Sequence, residues 1–275
     1  MKHTHSQKIV YLLLVVGAII MVFPFLWLLS SSLMTTSEIT AQNPRVLFPE
    51  TFQWENFRRV MEFAPFDRFF INSIVVTIIS TVGDVITAIL AAYAFANLKF
   101  WGKNVVFAIL LGTMMVPSEV LLIPNFVTMA SLGLIDTLHA IYIPWLASIL
   151  SIFLLRQFFM SIPKQLLYAA KVDGCSGFKY LWYVMIPNAK PAIITTAVLS
   201  ALNSWNAFAW PMLVTLTTDT RTLPIGLSLF RNEAGAHFEL VMAASLMTII
   251  PMLLLFIFLQ KYIVAGVSRS GIKSK

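Results

Sequence analysis

The sequence predicts an all-α chain embedded in a membrane. Three observations carry that reading. Hydrophobic residues make up 59% of the 275 and charged residues only 11%, where a soluble domain carries about 25% charge. The mean hydropathy is +0.83. The apolar residues also gather into six runs: Ile9–Leu33, Phe69–Ala96, Val105–Ala130, His139–Phe159, Pro191–Leu216 and Leu240–Val264. Each is about 20 residues or longer, the length a helix needs to cross a bilayer. A helix also satisfies its own backbone hydrogen bonds, which lipid cannot do. The alternating pattern of barrel strands is not visible.

The first run is too long for a signal peptide and lacks a small-residue cleavage site, so it is expected to remain as a helix. Residues 35–68 form the largest connecting segment. In it Trp54, Phe57, Met61 and Ala64 recur at helical spacing, with Glu55, Arg58, Arg59 and Glu62 between them. That pattern fits a surface helix resting on the ends of the bundle, or part of a landing surface for an external partner.

The second run carries Asn72, Gly83 and Asp84. A carboxylate in mid-membrane costs a few kcal/mol, so Asp84 must face protein or water. It is expected either to hydrogen-bond a neighbouring helix or to line a pathway, and Gly83 permits close helix approach. The third run is interrupted by PSEVLLIP, in which Pro117 and Pro124 are expected to break the helix around Glu119, with Asn125 following. Broken helices point to a substrate path; a simple kink with Glu119 at the interface is the other reading. The fifth run contains NSWNAFAWP: Asn203, Trp205, Asn206, Trp210 and Pro211. Amides and indoles suit the hydroxyls and apolar faces of a sugar. They equally suit helix–helix contacts and an aromatic belt.

Thirteen of the 19 Lys and Arg fall in one alternate set of connecting segments and six in the other. The positive-inside rule then puts both termini in the cytoplasm. The +7 net charge is therefore a topology signal, and no single basic face suggests nucleic acid. The lone cysteine, Cys175, cannot form an internal disulfide and falls on the reducing side. His3 and His5 lie in the N-terminal tail, while His139 and His237 stand alone, so no metal-ligand spacing exists.

The longest cytoplasmic segment between spans is Pro163–Pro187. It reads as two short helices joined at Gly174. Ser161 is expected to N-cap the first, with Pro163 in its first turn. Asp173-Gly174 is expected to end it through a left-handed glycine. Leu166, Leu167, Ala169, Ala170 and Val172 give it a small apolar surface flanked by Lys164 and Lys171. Another protein could grip such a knob; it could also be a linker lying on headgroups.

The motif AA-x-x-DG followed by I-P (Ala169, Ala170, Asp173, Gly174, Ile186, Pro187) resembles the EAA loop of ATP-binding-cassette (ABC) importer permeases. From the first run to the C-terminus the chain is similar to the MalG-like half of their carbohydrate-uptake family. The family's usual Glu is replaced by Tyr168, so an ion pair from that position cannot be carried over.

The resemblance implies a type I importer permease fold: one domain over 1–275, six transmembrane helices, an extracytoplasmic segment at 35–68 and a cytoplasmic coupling loop at 161–187. It implies a multi-pass protein of a prokaryotic cytoplasmic membrane. Its partners would be a second, non-identical permease subunit, a homodimeric cassette ATPase, an extracytoplasmic solute-binding protein, the sugar and membrane lipid. No cofactor is expected on this chain; ATP and Mg²⁺ would act on the ATPase. Tyr168, Ala169, Ala170, Asp173, Gly174, Ile186 and Pro187 would couple to that ATPase. Glu119, Asn125, Asn203, Trp205 and Asn206 are the candidate substrate path. The W-N-x-x-x-x-P stretch is similar to a family segment near the central cavity, although in the related maltose importer the partner permease makes most sugar contacts. The loop Thr220–Phe230, continuing to Glu239, would meet the solute-binding protein. The basic tail GVSRSGIKSK would reach between ATPase subunits, or simply anchor at headgroups.

No GxxxxGK[ST] loop is present, so ATP hydrolysis is expected elsewhere. H-E-x-x-H and G-x-S-x-G are also absent, which speaks against a membrane protease. A stand-alone channel or carrier would leave the central loop without a role. The expected function is import of a mono- or oligosaccharide, with glycerol phosphate or another polyol ester as the alternative cargo.

Overall fold

Segments that face lipid must close their own backbone hydrogen bonds. Accordingly, the computed structural model is helical over most of the residues it describes, 3–41, 47–233 and 237–271, with side chains described for 7–41, 47–230 and 237–260. In chain order the helices begin with α1 (His3–Ser31), α2 (Thr36–Thr40), α3 (Glu55–Phe63), α4 (Phe66–Asn97), α5 (Lys103–Thr113), α6 (Leu122–Ser131), α7 (Leu138–Tyr142) and α8 (Ile149–Ser161). They continue with α9 (Lys164–Val172), α10 (Gly177–Tyr180), α11 (Ile186–Asn188), α12 (Lys190–Trp205), α13 (Ala209–Val214), α14 (Leu223–Glu233) and α15 (Phe238–Gly271). Four stretches are long and apolar enough to cross a membrane: Gln7–Ser31, Phe66–Asn97, Leu138–Ser161 and Phe238–Gln260. Two more arise if each sharply bent pair is one span: Lys103–Thr113 with Ser118–Ser131, at 92°, and Gly177–Asn188 with Lys190–Trp205, at 80°. The charges at Lys2, Arg45, Arg231, Glu233, Lys261, Arg269, Lys273 and Lys275 lie outside the described side chains, as do His3, His5 and the tail from Gly266.

The chain divides into two compact units. The first comprises Met1–Asp67 and Ile225–Pro251. A capping box starts α2: Thr35 Oγ1 accepts from the Glu38 amide, and the Glu38 carboxylate accepts from the Thr35 amide. Helix α3 turns a different face inward than its apolar spacing suggested. Trp54 is 68% exposed and Met61 42%, whereas Asn56 and Val60 are buried. The reason is polar: Asn56 Nδ2 donates to the carbonyls of Ser32 (3.0 Å) and Met34 (2.9 Å), docking α3 on the turn that ends α1. Buried Glu239 accepts from Thr36 Oγ1 and from Arg59 Nη1 (3.4 Å), and it contacts His237 Nδ1 at 3.2 Å.

The second unit comprises Arg68–Pro224 and Met252–Lys275, and α4 is its spine. At 1.5 Å per residue the helix runs about 48 Å. Near its start, Arg68 pairs with Asp219, Asn72 Nδ2 donates to the carbonyls of Asp219 and Arg221, and Ser73 Oγ accepts from the Leu223 amide. Val76 then joins an apolar cluster with Met129, Ala140, Ile141, Trp210 and Val214. At mid-length Gly83 lies against Leu146, closely enough that a Cβ would sit 2.5 Å from Leu146 Cδ2. Beside it Asp84, 2% exposed, accepts from the Ser148 amide (2.9 Å) and Ser151 Oγ (2.7 Å). Of the two expectations for Asp84, the geometry supports the structural hydrogen bond. The last turns of α4 carry Ala88, Ala92 and Phe95 into a second cluster with Phe107, Ile152, Leu155 and Phe159.

Three apolar runs depart from continuous helices. The third breaks at Met114–Pro117, where Pro117 precedes a 3₁₀ turn, Ser118–Leu121. Pro124 does not break it. It is the third residue of α6, where the missing N–H has no intrahelical partner to lose. The fourth run is interrupted after α7 by a 3₁₀ turn, Ile143–Trp145, containing Pro144. It resumes only once Ser148 caps α8. The fifth ends as a helix at Trp205, and α13 starts after a break at 206–208.

Candidate functional site

The loop between α8 and α12 is built from local chemistry. Ser161 does not cap its first helix: it is the last residue of α8, and its hydroxyl donates to Phe158 O at 2.7 Å. Pro163 occupies the N-cap instead, at φ −58° and ψ 131°, so α9 begins at Lys164. The correction follows from proline itself, which disfavours a helical conformation in the residue before it and so ends α8.

At the other end Gly174 takes φ +71°. The Cys175 amide reaches Ala170 O (2.8 Å) and the Gly174 amide reaches Lys171 O (3.1 Å), the paired bonds of a Schellman motif. Ser176 then caps α10 by accepting from the Lys179 amide at 3.4 Å. The chain continues as a π-helix, Leu181–Met185, closed by the Ile186 amide on Leu181 O, and Pro187 follows.

The two motif halves meet in space. Ala170, Tyr180, Leu181, Met185 and Ala189 are buried in the cluster with Ala92, Phe95, Leu155 and Phe159, and Ile186 packs against it. Tyr168, Ala169, Asp173 and Gly174 remain exposed, as do Leu166, Val172 and Phe178. One face of the loop is thus anchored in the bundle, and the other presents an apolar surface.

Sequence reasoning missed the residues that fix this anchoring. Tyr93 Oη donates to Gly177 O at 2.9 Å. Arg156 Nε donates to Phe95 O at 3.2 Å, while its guanidinium carbon lies 3.9 Å from the centre of the Phe107 ring. A tyrosine, a phenylalanine and an arginine in or beside apolar runs gave no signal before the fold placed them together.

The candidate path is less convergent. Glu119 is exposed in the 3₁₀ turn and accepts from Ser118 Oγ at 3.3 Å, and Asn125 is half-buried in α6. Asn203 is exposed in the last turn of α12. Asn206 caps that helix and donates through Nδ2 to Leu202 O at 2.9 Å. Trp205 is 3% exposed and packs edge-on to Phe70 at 6.1 Å, so its ring is committed to the core. Trp210 is likewise fixed, its indole N–H donating to Ala140 O (3.0 Å) and Ile141 O (3.2 Å). The helices beyond the two breaks, α6 and α13, share the cluster of Met129, Trp210 and Val214. Among the described residues no group of three or more His, Cys, Asp or Glu could hold a metal ion.

Comparison with known proteins decides the family. The family model described as "binding-protein-dependent transport system inner membrane component" matches residues 84–269. The chain belongs to that family. This inner membrane component is 34% identical over 258 residues to the arabinooligosaccharides transport system permease protein AraQ of Halalkalibacterium halodurans, covering 93% of this chain and 92% of that one. It is 30% identical over 268 residues to the sn-glycerol-3-phosphate transport system permease protein UgpE of Yersinia pestis bv. Antiqua, covering 94% and 95%. Its fold is that of a chain in a bacterial ABC transporter involved in import of the acidic polysaccharide alginate, with a TM-score of 0.82, 28% identity and coverage of 96% and 98%. The permease is therefore an all-α, multi-pass membrane protein with the type I importer fold, a membrane component rather than the ATP-hydrolysing one.

Proposed function

We propose that this permease is one of two unlike membrane subunits of an ATP-driven importer, and that it passes a mono- or oligosaccharide across the cytoplasmic membrane by alternating access. The observation that carries the reading is the loop at 161–187, anchored on one face and apolar on the other. Such a surface fits a groove on a separate cassette ATPase, where ATP and Mg²⁺ would act. ATP binds the closed ATPase better than the open one, so it biases a two-state assembly. Tyr168, Ala169, Ala170, Asp173 and Gly174 form the gripped helix and its corner, and Ile186 and Pro187 form the root. Glu119, Asn125, Asn203 and Asn206 stand beside the two helix breaks and are the groups available to sugar hydroxyls.

The loop, both termini and the basic tail face the cytoplasm in this reading. The 35–68 segment and residues 220–239 face the solute-binding protein. The arabinooligosaccharide relative supports a sugar cargo, and the glycerol-phosphate relative supports a polyol ester as the second reading.

The test is uptake by the complete assembly in proteoliposomes. Radiolabelled arabinooligosaccharide and glycerol 3-phosphate are each offered with their binding protein, with and without ATP. ATP-dependent accumulation of the sugar supports the main reading, and accumulation of the phosphate alone supports the second. Flux of either solute without ATP or companion subunits would make the chain a channel or carrier.

A further inference from the structure

We infer that Tyr93 and Asp84 pin the loop and its leading helix to α4 at two points, making Tyr93 a positioning residue for coupling. The inference rests on the importer reading above. Tyr93 Oη donates at 2.9 Å to the carbonyl of Gly177, the first residue of α10. The approach is close: a Cβ on Gly177 would lie 3.0 Å from that same oxygen, so the tyrosine would have to give way by a few tenths of an ångström. Nine residues earlier, about 13 Å along α4, Asp84 holds the amide of Ser148 and the hydroxyl of Ser151 at the start of α8.

Between the pins the chain leaves α4 at Ser148, runs through α8 and α9, and returns to α4 at Gly177. Thr87 Oγ1 adds a contact near the first pin, donating to Leu146 O at 2.8 Å. Apolar packing fills the space between, with Ala88, Ala92 and Phe95 of α4 against Ile152, Leu155 and Phe159 of α8 and Ala170 of α9. A load on the exposed Leu166, Tyr168 and Val172 therefore passes into α4 and is not dissipated by flexing at Gly174. The opposite end of α4 holds Asp219–Leu223 through Arg68, Asn72 and Ser73. The helix thus joins the loop to the far end of this unit.

The complete importer is rebuilt in proteoliposomes with wild-type chain, Tyr93→Phe, Gly177→Ala and the double variant. Uptake and ATP hydrolysis are measured together, using whichever of arabinooligosaccharide and glycerol 3-phosphate the wild type accumulates. Tyr93→Phe is expected to assemble and hydrolyse ATP as wild type and to melt only slightly earlier, while uptake per ATP falls about five-fold, the scale of one net hydrogen bond. Gly177→Ala should lower the same ratio, and adding Tyr93→Phe to it should lose nothing more, since both act on one contact. An unchanged ratio in Tyr93→Phe would overturn the inference. An assembly that no longer holds together would overturn it too, by making the bond a packing contact. Wild-type uptake indifferent to ATP would instead overturn the importer reading, and the inference with it.

Discussion

Asp84 reaches from mid-α4 to accept the backbone amide of Ser148 at 2.9 Å, and so holds the N-cap residue of α8, 64 residues further along the chain. Its second oxygen takes the Ser151 hydroxyl at 2.7 Å. Asp84→Ala leaves a buried hydroxyl and a part-buried amide without an acceptor, at a cost of about 3 kcal/mol. Asp84→Asn keeps one acceptor and should lose less. Unfolding in mixed detergent micelles reads both, and an Ala variant as stable as wild type would contradict that role.

Gly83 lies so close to Leu146 that its neighbour must move for any side chain. Gly83→Ala should be mild, because the obstructing atom is the end of a flexible side chain. Gly83→Val should destabilise by about 1–3 kcal/mol through overpacking. Leu146→Ala in the same chain should recover part of the loss. If the valine variant melts at the wild-type temperature, α4 and the 143–148 segment are not in close contact.

Gly174 holds φ +71° at the corner of the loop, a conformation that is an outlier for a β-branched residue. Gly174→Val should insert at normal abundance yet abolish ATP-coupled uptake, because α9 can no longer end in its two closing bonds. Normal uptake would remove the corner from the mechanism.

Asp136 sits in the 132–137 connection, itself at φ 61°, and accepts the Leu216 and Thr217 amides and the Thr220 hydroxyl. The Thr217 amide bond, then the Thr220 hydroxyl, pull its pKa from 3.8 to about 2. A depressed carboxyl contributes stability above its unfolded pKa and loses it as pH falls through the folded one. Protection of the Leu216 and Thr217 amides from hydrogen exchange should therefore be full above about pH 5, erode as pH falls below about 4, and be mostly lost by about pH 2. Protection unchanged down to about pH 2 would contradict this.

Trp205 and Asn203 are close in sequence, but their variants should separate. Trp205→Ala empties a packed site beside Phe70 and should cost about 3–5 kcal/mol of stability. Asn203→Ala removes an exposed amide and should leave stability within about 0.5 kcal/mol while raising the half-saturating solute concentration. A stable Trp205→Ala permease with altered solute preference would reverse the assignment.

The helices themselves were legible, because a bilayer demands long apolar runs and the chain supplies them. Gly174 was legible too, since Asp-Gly after a short helical pattern specifies a left-handed stop. The helix breaks were harder to read. Pro117 and Pro124 look alike in sequence, yet one lies at a break and the other rests in a first turn, because the cost depends on which amide is already unpaired. Pro144 interrupts the fourth run and was passed over in an apolar stretch. Asn56 defeated the apolar spacing of α3, since two backbone carbonyls outweighed exposed rings in choosing the inner face. Tyr93 could not be found from sequence at all. Its partner is a backbone carbonyl 84 residues away, and carbonyls leave no trace in side-chain pattern.

Helix α1 carries the most apolar 18-residue window among the four candidate spans, with mean hydropathy 2.9, and none of that window is buried by the rest of the chain. It needs no later segment to satisfy it. It can therefore partition into lipid on its own hydropathy, whereas Asp84 of α4 has its donors only once the start of α8 exists.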